Sequence, residues 1–165
     1  IIYGMSGFGL SENLYVSRYA AQNYINDYFA KHQAVKDYLD NQVAIGERDR
    51  EVHTIFGRVR QIPEFASRKF MDRELAKRLA MNTPIQGTAA DIIKIAMNSV
   101  YRRLAEEGLR SKLILQIHDE LIVEAYDDEL DKVKTILGEC MEGAANLAVK
   151  LECEMSTAKN WFDLK

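Results

Sequence analysis

Apolar side chains recur every four residues between residues 17 and 46. The two series are Ala21, Ile25, Phe29 and Val35, Leu39, Val43. Residues four apart lie on one face of a helix, so the pattern predicts two helices, the second of them followed by Gly46. Ile1–Leu10 is apolar and glycine-rich with no helix-start residue before it. We therefore expect this stretch to be the end of an element that begins upstream.

The centre of the chain is rich in β-forming residues. Glu51–Ile62 surrounds Gly57 and is followed by a proline, which favours a small hairpin or an irregular loop. A helix fits Arg68–Asn82, because apolar residues share a face there and Pro84 disfavours helix at the residue before it.

Thr83-Pro84-Ile85-Gln86 has the form of a fresh helix start. Threonine is a frequent N-cap, proline is favoured at the first helical position, and glutamine three residues after the cap completes a capping box. The sequence therefore predicts a separate helix from this point to Glu107, ending at Gly108.

Two apolar runs, Leu113–Ile117 and Leu121–Ala125, are separated only by His118-Asp119-Glu120 and predict a hairpin with charge at its tip. A helix is predicted after Asp127 and Asp128, with the inward residues Leu130, Val133, Leu137, Met141 and Ala144. Alternating apolar and acidic residues from Leu151 to Met155 predict a half-buried strand. This order of elements indicates an α+β fold with helices packed on one face of an antiparallel sheet.

The predicted tip has an unusual composition for a tight turn. Asn-Gly or Asp-Gly would suit the backbone, whereas His118-Asp119-Glu120 presents three ionisable groups on stiff apolar strands. Ionisable side chains that are held by rigid strands suit a metal or phosphate site. From the pattern alone, a solvent-exposed turn that carries three charges without a function is an equal alternative.

A site for two magnesium ions needs more than one bridging carboxylate. Asp119 and Glu120 would point to opposite faces of an extended chain, so a second strong ligand must come from elsewhere. The other candidate carboxylates are Asp72, Asp91, Glu124 and Asp127. None has a strand-end context that would bring it to Asp119. Either the metal binds weakly, or the missing carboxylate lies before Ile1.

Composition indicates an ordinary globular protein. The 165 residues are 47% hydrophobic and 28% charged, which argues against disorder and against a fibrous class. No apolar run approaches the roughly 18 residues of a membrane span, and the start lacks the features of a secretion signal. We expect a cytoplasmic protein with no membrane partner. Cys140 and Cys153 lack paired spacing for zinc, so we expect reduced, buried thiols.

The net charge of −3 is distributed unevenly. Residues 54–78 contain seven basic and three acidic side chains, whereas residues 117–155 contain eleven acidic side chains and three lysines. A basic phosphate-binding surface beside an acidic metal site would have this polarity. Two solvent-exposed faces with no binding role would show the same uneven distribution of charge.

Four segments resemble family A DNA polymerases, the bacterial DNA polymerase I type, in the family's order. Leu113-Ile-Leu-Gln-Ile-His-Asp-Glu-Leu-Ile-Val-Glu124 is similar to palm motif C. Met81-Asn-Thr-Pro-Ile-Gln-Gly-Thr-Ala-Ala-Asp-Ile-Ile-Lys94 resembles the helix that precedes it. Ile1-Ile-Tyr-Gly-Met-Ser6 resembles the end of the fingers O helix, and Thr54-Ile-Phe-Gly-Arg-Val-Arg60 the segment between. With the near-terminal Trp161 and Lys165, the resemblance covers essentially the whole chain.

The resemblance implies a role for each matching residue in template-directed, two-metal nucleotidyl transfer. Asp119 would be a ligand of catalytic Mg²⁺, Glu120 would support that metal site, and His118 would contact the primer end. Tyr3 would lie near the templating base and the incoming dNTP. Primer-template DNA would be contacted in its minor groove by Arg78, Asn82 and Gln86, and at its phosphates by Arg58 and Arg60. Minor-groove acceptors look alike across base pairs, so such contacts sense pairing geometry without reading sequence.

The resemblance also implies a division of the chain and an incomplete polymerase fold. Residues 1–50 would be the C-terminal part of the fingers, and residues 51–165 the fingers-to-palm connection with an antiparallel palm sheet containing the motif C hairpin. The motif A aspartate and most of the O helix would lie upstream of Ile1, in the same chain or in a separate one. We therefore expect this piece alone to be inactive.

One departure and two alternatives accompany this interpretation. Family members often carry three consecutive basic residues after the glycine, whereas Val59 separates Arg58 from Arg60 here. We therefore expect fewer contacts with phosphates from this segment. A metal-dependent phosphohydrolase built on His118-Asp119 would need further histidines, and only His32 and His53 exist. A non-catalytic module that binds primer-template DNA is the other alternative.

Overall fold

The structure is a computed structural model that describes residues 1–164, so Lys165 lies outside the described residues. It divides into two compact units, Ile1–Thr88 and a second one that begins at Ala89. The helices are α1 (Gly7–Leu14), α2 (Arg18–Lys31), α3 (Gln33–Asp49), α4 (Phe70–Glu106) and α5 (Leu130–Glu142). The strands are β1 (Glu51–His53), β2 (Val59–Gln61), β3 (Lys112–Ile117) and β4 (Glu120–Glu124). Short 3₁₀ turns occupy Pro63–Ala66, Asp127–Glu129 and Trp161–Leu164.

Helix α1 corrects the expectation for the start of the chain. Residues 1–6 form a turn and an extended segment, and a new helix begins at Gly7. The Ser6 hydroxyl accepts a hydrogen bond from the Gly9 amide at 3.2 Å, so Ser6 caps this helix. A serine was the start signal, but the surrounding glycines and apolar residues obscured it.

Helices α2 and α3 confirm the two helices predicted from four-residue spacing. Ser17 caps α2 by accepting a hydrogen bond from the Ala20 amide at 3.1 Å. Gly46 does not follow α3 but lies inside it. A Cβ atom on Gly46 would stand 2.6 Å from Cε2 of Phe65, so this glycine permits close packing in the core rather than ending the helix.

Strands β1 and β2 form the predicted hairpin around Gly57. They pair antiparallel with Glu51 opposite Gln61 and His53 opposite Val59. The hairpin contributes to an apolar core shared with α4, whose buried members are Val52, Ile62, Phe65, Ala76 and Ala80.

Helix α4 is a single helix of 37 residues, so the prediction of two helices separated at Thr83-Pro84 is wrong. Pro84 cannot donate the hydrogen bond that the helical ladder requires at its position. The helix continues because other contacts hold the backbone around it. The Thr88 hydroxyl donates to the Pro84 carbonyl at 2.5 Å, and Thr83 is buried and accepts from Arg60 at 3.3 Å. Tertiary packing here outweighs the local sequence preference.

The second unit contains the hairpin of β3 and β4 packed on helices. Its apolar core includes Val100 and Leu104 of α4 and Val133, Ile136 and Cys140 of α5. Leu113, Leu121 and Val123 of the hairpin pack against this core. The predicted helix after Asp128 is thereby confirmed as α5, although Ala144 lies beyond its end.

The predicted strand at Leu151–Met155 is wrong, because these residues have no regular structure. The Cys153 amide donates to a Glu142 carboxylate oxygen at 3.4 Å and has no strand partner in the described part of the chain. Both cysteines are free thiols, Cys140 buried and Cys153 half-buried, and burial raises the pKa of each.

Helices and small antiparallel sheets make up both units, which agrees with the α+β class. Within residues 1–164 each sheet has two strands. The expected fingers and palm division at residue 50 stays a prediction. None of the helices in this range combines the length and the apolar character that crossing a membrane requires.

Candidate functional site

The hairpin tip in the second unit consists of two residues. Ile117 pairs with Glu120, so His118 and Asp119 form the turn and Glu120 is the first residue of β4. The predicted three-residue tip is therefore one residue too long. All three side chains are exposed.

His118 adopts a positive φ of 52°. Few residues other than glycine enter this region, although histidine does so more often than most. The Gln116 side chain donates to the His118 carbonyl at 2.7 Å and thereby supports the turn. Positive φ in a residue other than glycine is frequent at functional sites, where surrounding contacts stabilise it. Gln116 had no signal in the sequence that marked this role.

The donor set at the tip fits part of a magnesium site. Asp119 and Glu120 supply carboxylate oxygens, which are the ligands that Mg²⁺ prefers. Across residues 1–164, no three His, Cys, Asp or Glu side chains are grouped closely enough to hold a metal ion. The tip can therefore contribute ligands to a metal but does not form a closed cage by itself.

In the first unit, helix α4 carries three of the predicted DNA contacts. Arg78, Asn82 and Gln86 are spaced four residues apart, so they lie along one side of the helix. Arg78 and Gln86 are exposed and Asn82 is half-buried. The three donors follow one another for about two helical turns, or roughly 12 Å of helix.

Tyr3 lies beside this side of α4. The Asn82 side-chain amide donates to the Tyr3 carbonyl at 3.3 Å. At Gly4, which has a φ of 79°, a Cβ atom would stand 2.8 Å from the Met81 methyl group and 3.1 Å from Cγ of Arg78. The backbone next to Tyr3 therefore packs directly on the helix, while the Tyr3 side chain remains 57% exposed.

Arg58 and Arg60 of the first hairpin also contact α4. The Arg58 guanidinium donates to the Gly87 carbonyl at 3.0 Å, and that of Arg60 donates to the Thr83 hydroxyl at 3.3 Å. Both arginines remain exposed. A guanidinium carries five N–H donors, a chemistry that suits contact with phosphate oxygens.

Two further residues position this surface and were not anticipated. The Ile55 amide donates to the Thr88 hydroxyl at 3.1 Å, which fixes the β1–β2 loop to the helix. A Cβ atom on Gly87 would stand 2.7 Å from the Thr54 methyl group, so only glycine allows the loop this close. Sequence gave no tertiary signal for either contact.

The nine predicted site residues thus fall into two groups. Tyr3, Arg58, Arg60, Arg78, Asn82 and Gln86 all lie on or against α4 in the first unit. His118, Asp119 and Glu120 form the hairpin tip of the second unit. The other histidines have local partners, since His53 pairs with Glu51 at 3.1 Å and the His32 ring packs at a tilt against that of Tyr28.

Residues 1–163 match the sequence model of DNA polymerase family A. The chain belongs to this family. Among its relatives, DNA polymerase I of Caldicellulosiruptor bescii is 46% identical and DNA polymerase I of Geobacillus stearothermophilus is 44% identical, each over all 165 residues. The family A chain spans only 19% of the length of either relative.

A solved structure is also similar to this chain. The POL domain of Pol1 from M. smegmatis, in complex with DNA primer-template and dNTP, is 40% identical and superposes with a TM-score of 0.88. The match covers 92% of this family A chain and 27% of that chain.

Proposed function

We propose that the chain is part of a DNA-directed DNA polymerase that extends a primer from dNTPs on a template. The observation that carries this proposal is the two-residue turn at His118-Asp119, because it presents an exposed carboxylate within the run that resembles motif C. The M. smegmatis structure, which holds primer-template and dNTP, supports these substrates.

Asp119 would hold magnesium, and Glu120 would support the site from the first position of β4. When bound, two Mg²⁺ ions supply Lewis acidity toward the primer 3′-hydroxyl and toward the triphosphate that loses pyrophosphate. The role of the chain's own residues is to fix the position of these two carboxylates. Short, paired strands and the hydrogen bond from Gln116 to the His118 carbonyl limit the movement of the turn. His118 would contact the primer end.

The surface of α4 would hold the duplex. Donors on Arg78, Asn82 and Gln86 suit the acceptors of the minor groove, which are present at every correct base pair. Arg58 and Arg60 would contact phosphates, and Tyr3 would lie by the templating base and the incoming dNTP. The hydrogen bond from the Asn82 side chain to the Tyr3 carbonyl supports a position for Tyr3 beside the residues of α4 that would contact the duplex.

The metal site would be completed by a carboxylate outside residues 1–165. This part of the proposal rests on the ligand set, since within residues 1–164 no third His, Cys, Asp or Glu is grouped with Asp119 and Glu120 to hold a metal ion. We therefore expect purified residues 1–165 to show no primer extension alone. Extension by that chain alone, with a catalytically inactive variant as a contamination control, would contradict this expectation.

Replacement of Asp119 by alanine in the full-length polymerase tests the proposal. Loss of a metal ligand removes several kcal/mol of transition-state stabilisation, so single-nucleotide incorporation should fall by roughly 10³-fold or more. Affinity for primer-template DNA should change little, since contacts with α4 remain.

Asp127→Ala is the matched control, because it removes an exposed carboxylate of the same unit that lies outside the tip. Its incorporation rate should equal that of the wild type. Normal incorporation by the Asp119→Ala protein would instead favour a module that binds DNA without taking part in catalysis.

A further inference from the structure

Glu129 lies at the opposite end of the second hairpin from Asp119 and has four donors around its carboxylate. It accepts from the backbone amides of Arg110 and Ser111 at 3.1 and 2.9 Å. It also accepts from the Arg110 guanidinium at 3.1 Å and from the Ser111 hydroxyl at 2.6 Å. Its side chain is only 11% exposed.

This cluster joins the two ends of the hairpin. Ser111 immediately precedes β3, and its hydroxyl accepts a hydrogen bond from the amide of Tyr126, which follows β4, at 3.1 Å. The Arg110 guanidinium stacks over the Tyr126 ring at 4.1 Å. We call Arg110, Ser111, Tyr126 and Glu129 the base clasp.

The base clasp lies next to an irregularity in the strand pairing. Leu113 pairs with Val123, but Leu115 pairs with Ile122, so Ile114 is an extra residue in β3. A bulge of this kind can be absorbed at another position when nothing holds the strand ends, and a shift of one residue moves side chains to the other face. Such a shift would change which residues form the turn.

We infer that Glu129 is a positioning residue for Asp119. By holding both strand ends, the base clasp fixes the register that places His118 and Asp119 in the turn, about 23 Å away along the strands. Glu129 therefore acts through the hairpin and touches neither substrate nor metal. This inference rests on the proposed role of Asp119 as a magnesium ligand.

The test uses Glu129→Ala in the full-length polymerase, with the concentration of active sites measured from the burst of product in the first turnover. Loss of a residue that orients a metal ligand commonly costs about 10- to 100-fold in metal affinity or activity. We expect the rate per active site to fall about 10-fold and the Mg²⁺ concentration for half-maximal rate to rise about 10-fold. Affinity for primer-template should stay unchanged.

Asp128→Asn is the matched control. Asp128 is the adjacent carboxylate and pairs with the same Arg110, but its side chain is 72% exposed and, unlike that of Glu129, does not hydrogen-bond to Ser111. Exposed ion pairs contribute little, so its rate and its Mg²⁺ dependence should stay within about twofold of the wild type.

A second variant keeps the inference testable if Glu129→Ala folds poorly. Glu129→Gln retains one accepting oxygen for Ser111 but places an N–H₂ group where the other oxygen was. Its rate and Mg²⁺ dependence should lie between those of the wild type and of Glu129→Ala. A lower active fraction with wild-type rate and wild-type Mg²⁺ dependence in both variants would overturn the inference, because Glu129 would then contribute to stability alone.

Asp119→Ala is measured in parallel. If it incorporates nucleotides normally, the proposed function fails. If it is inactive while both Glu129 variants behave like Asp128→Asn, only the positioning role of Glu129 fails.

Discussion

The two hairpins, β1–β2 and β3–β4, reverse the direction of the chain with different turns. The first reverses direction over Thr54–Arg58, with glycine at its position of positive φ, Gly57 at 82°. The second reverses over two residues, and its positive φ falls on His118. An asparagine-glycine pair would have suited the second turn better.

Their surroundings differ as well. The first loop is fastened to helix α4 by the Ile55 amide and the Arg58 guanidinium. The second tip is exposed, and its support comes from Gln116 within the hairpin and from the base clasp at the far end. The first turn is therefore shaped for docking and the second for presenting side chains. Of the two turns, the one with its positive φ on a residue other than glycine is the turn that carries the proposed chemistry.

The largest expected change in stability comes from the buried residues beneath each hairpin. Ile62→Ala and Ile136→Ala each remove a side chain that is at most 1% exposed, so each should lower the free energy of unfolding by about 2–5 kcal/mol. Urea unfolding of the full-length polymerase would measure both. Ile114→Ala is the control, because Ile114 is 50% exposed and its loss should cost less than about 1 kcal/mol. Equal losses in all three would show that burial does not determine the cost of losing these side chains.

Contact between the β1–β2 loop and α4 should make the effects of substitutions at Gly87 and Thr54 on the free energy of unfolding depend on each other. Gly87→Ala places a Cβ against the Thr54 methyl group, whereas Thr54→Ser removes that methyl and keeps the hydroxyl that accepts from the Arg58 amide. Overpacking costs about 1–3 kcal/mol, so Gly87→Ala should be more favourable by about that amount in the Thr54→Ser background. Unfolding of the four proteins of this cycle gives the coupling. Additive effects would mean that the loop does not pack at Gly87.

Strain at the second turn should appear in a comparison of glycine with alanine. His118→Gly and His118→Ala both remove the imidazole, but only glycine adopts positive φ without cost. The glycine variant should be more stable than the alanine variant by about 1–2 kcal/mol. The same pair at Asp119, which has no positive φ, is the control and should favour alanine or show no difference. Thermal unfolding would distinguish these outcomes.

An effect of a different kind is a pH dependence of stability from Glu129. Hydrogen bonds from Ser111, and then from Arg110, lower the pKa of this carboxyl from 4.5 to about 2. The unfolded chain therefore binds more protons than the folded chain between these values, and the stability from Glu129 is present above pH 4.5 and lost as the pH falls toward 2. Acid unfolding of Glu129→Gln should have a shallower dependence on pH in this window than the wild type. An identical slope in both proteins would show that Glu129 does not titrate in this way.

Several features of the fold could be predicted from sequence because they depend on local pattern. Four-residue spacing gave α2 and α3, and the apolar runs around His118-Asp119 gave the second hairpin, since side-chain periodicity follows directly from helix and strand geometry. The family was also determined locally, because motif C is a continuous run of residues, and the match over residues 1–163 agrees with it.

Other features were decided by contacts between residues distant in sequence. Thr83 and Pro84 have the form of a helix start, yet Arg60, 23 positions away, contacts Thr83 inside a continuous helix. Leu151–Met155 has the alternation of apolar and polar residues that is typical of a strand. A strand needs a neighbouring strand to pair with, and this segment pairs with none within residues 1–164.

The candidate site shows the same division. The types of its residues were evident from the sequence, because carboxylates, guanidinium groups and amides carry their chemistry with them. Their arrangement was not, because the closeness of Tyr3 to Asn82, the register that leaves Asp119 in a two-residue turn and the support from Glu129 all depend on contacts across the fold. Sequence determined the chemistry available to this protein, and tertiary structure determined where that chemistry is held.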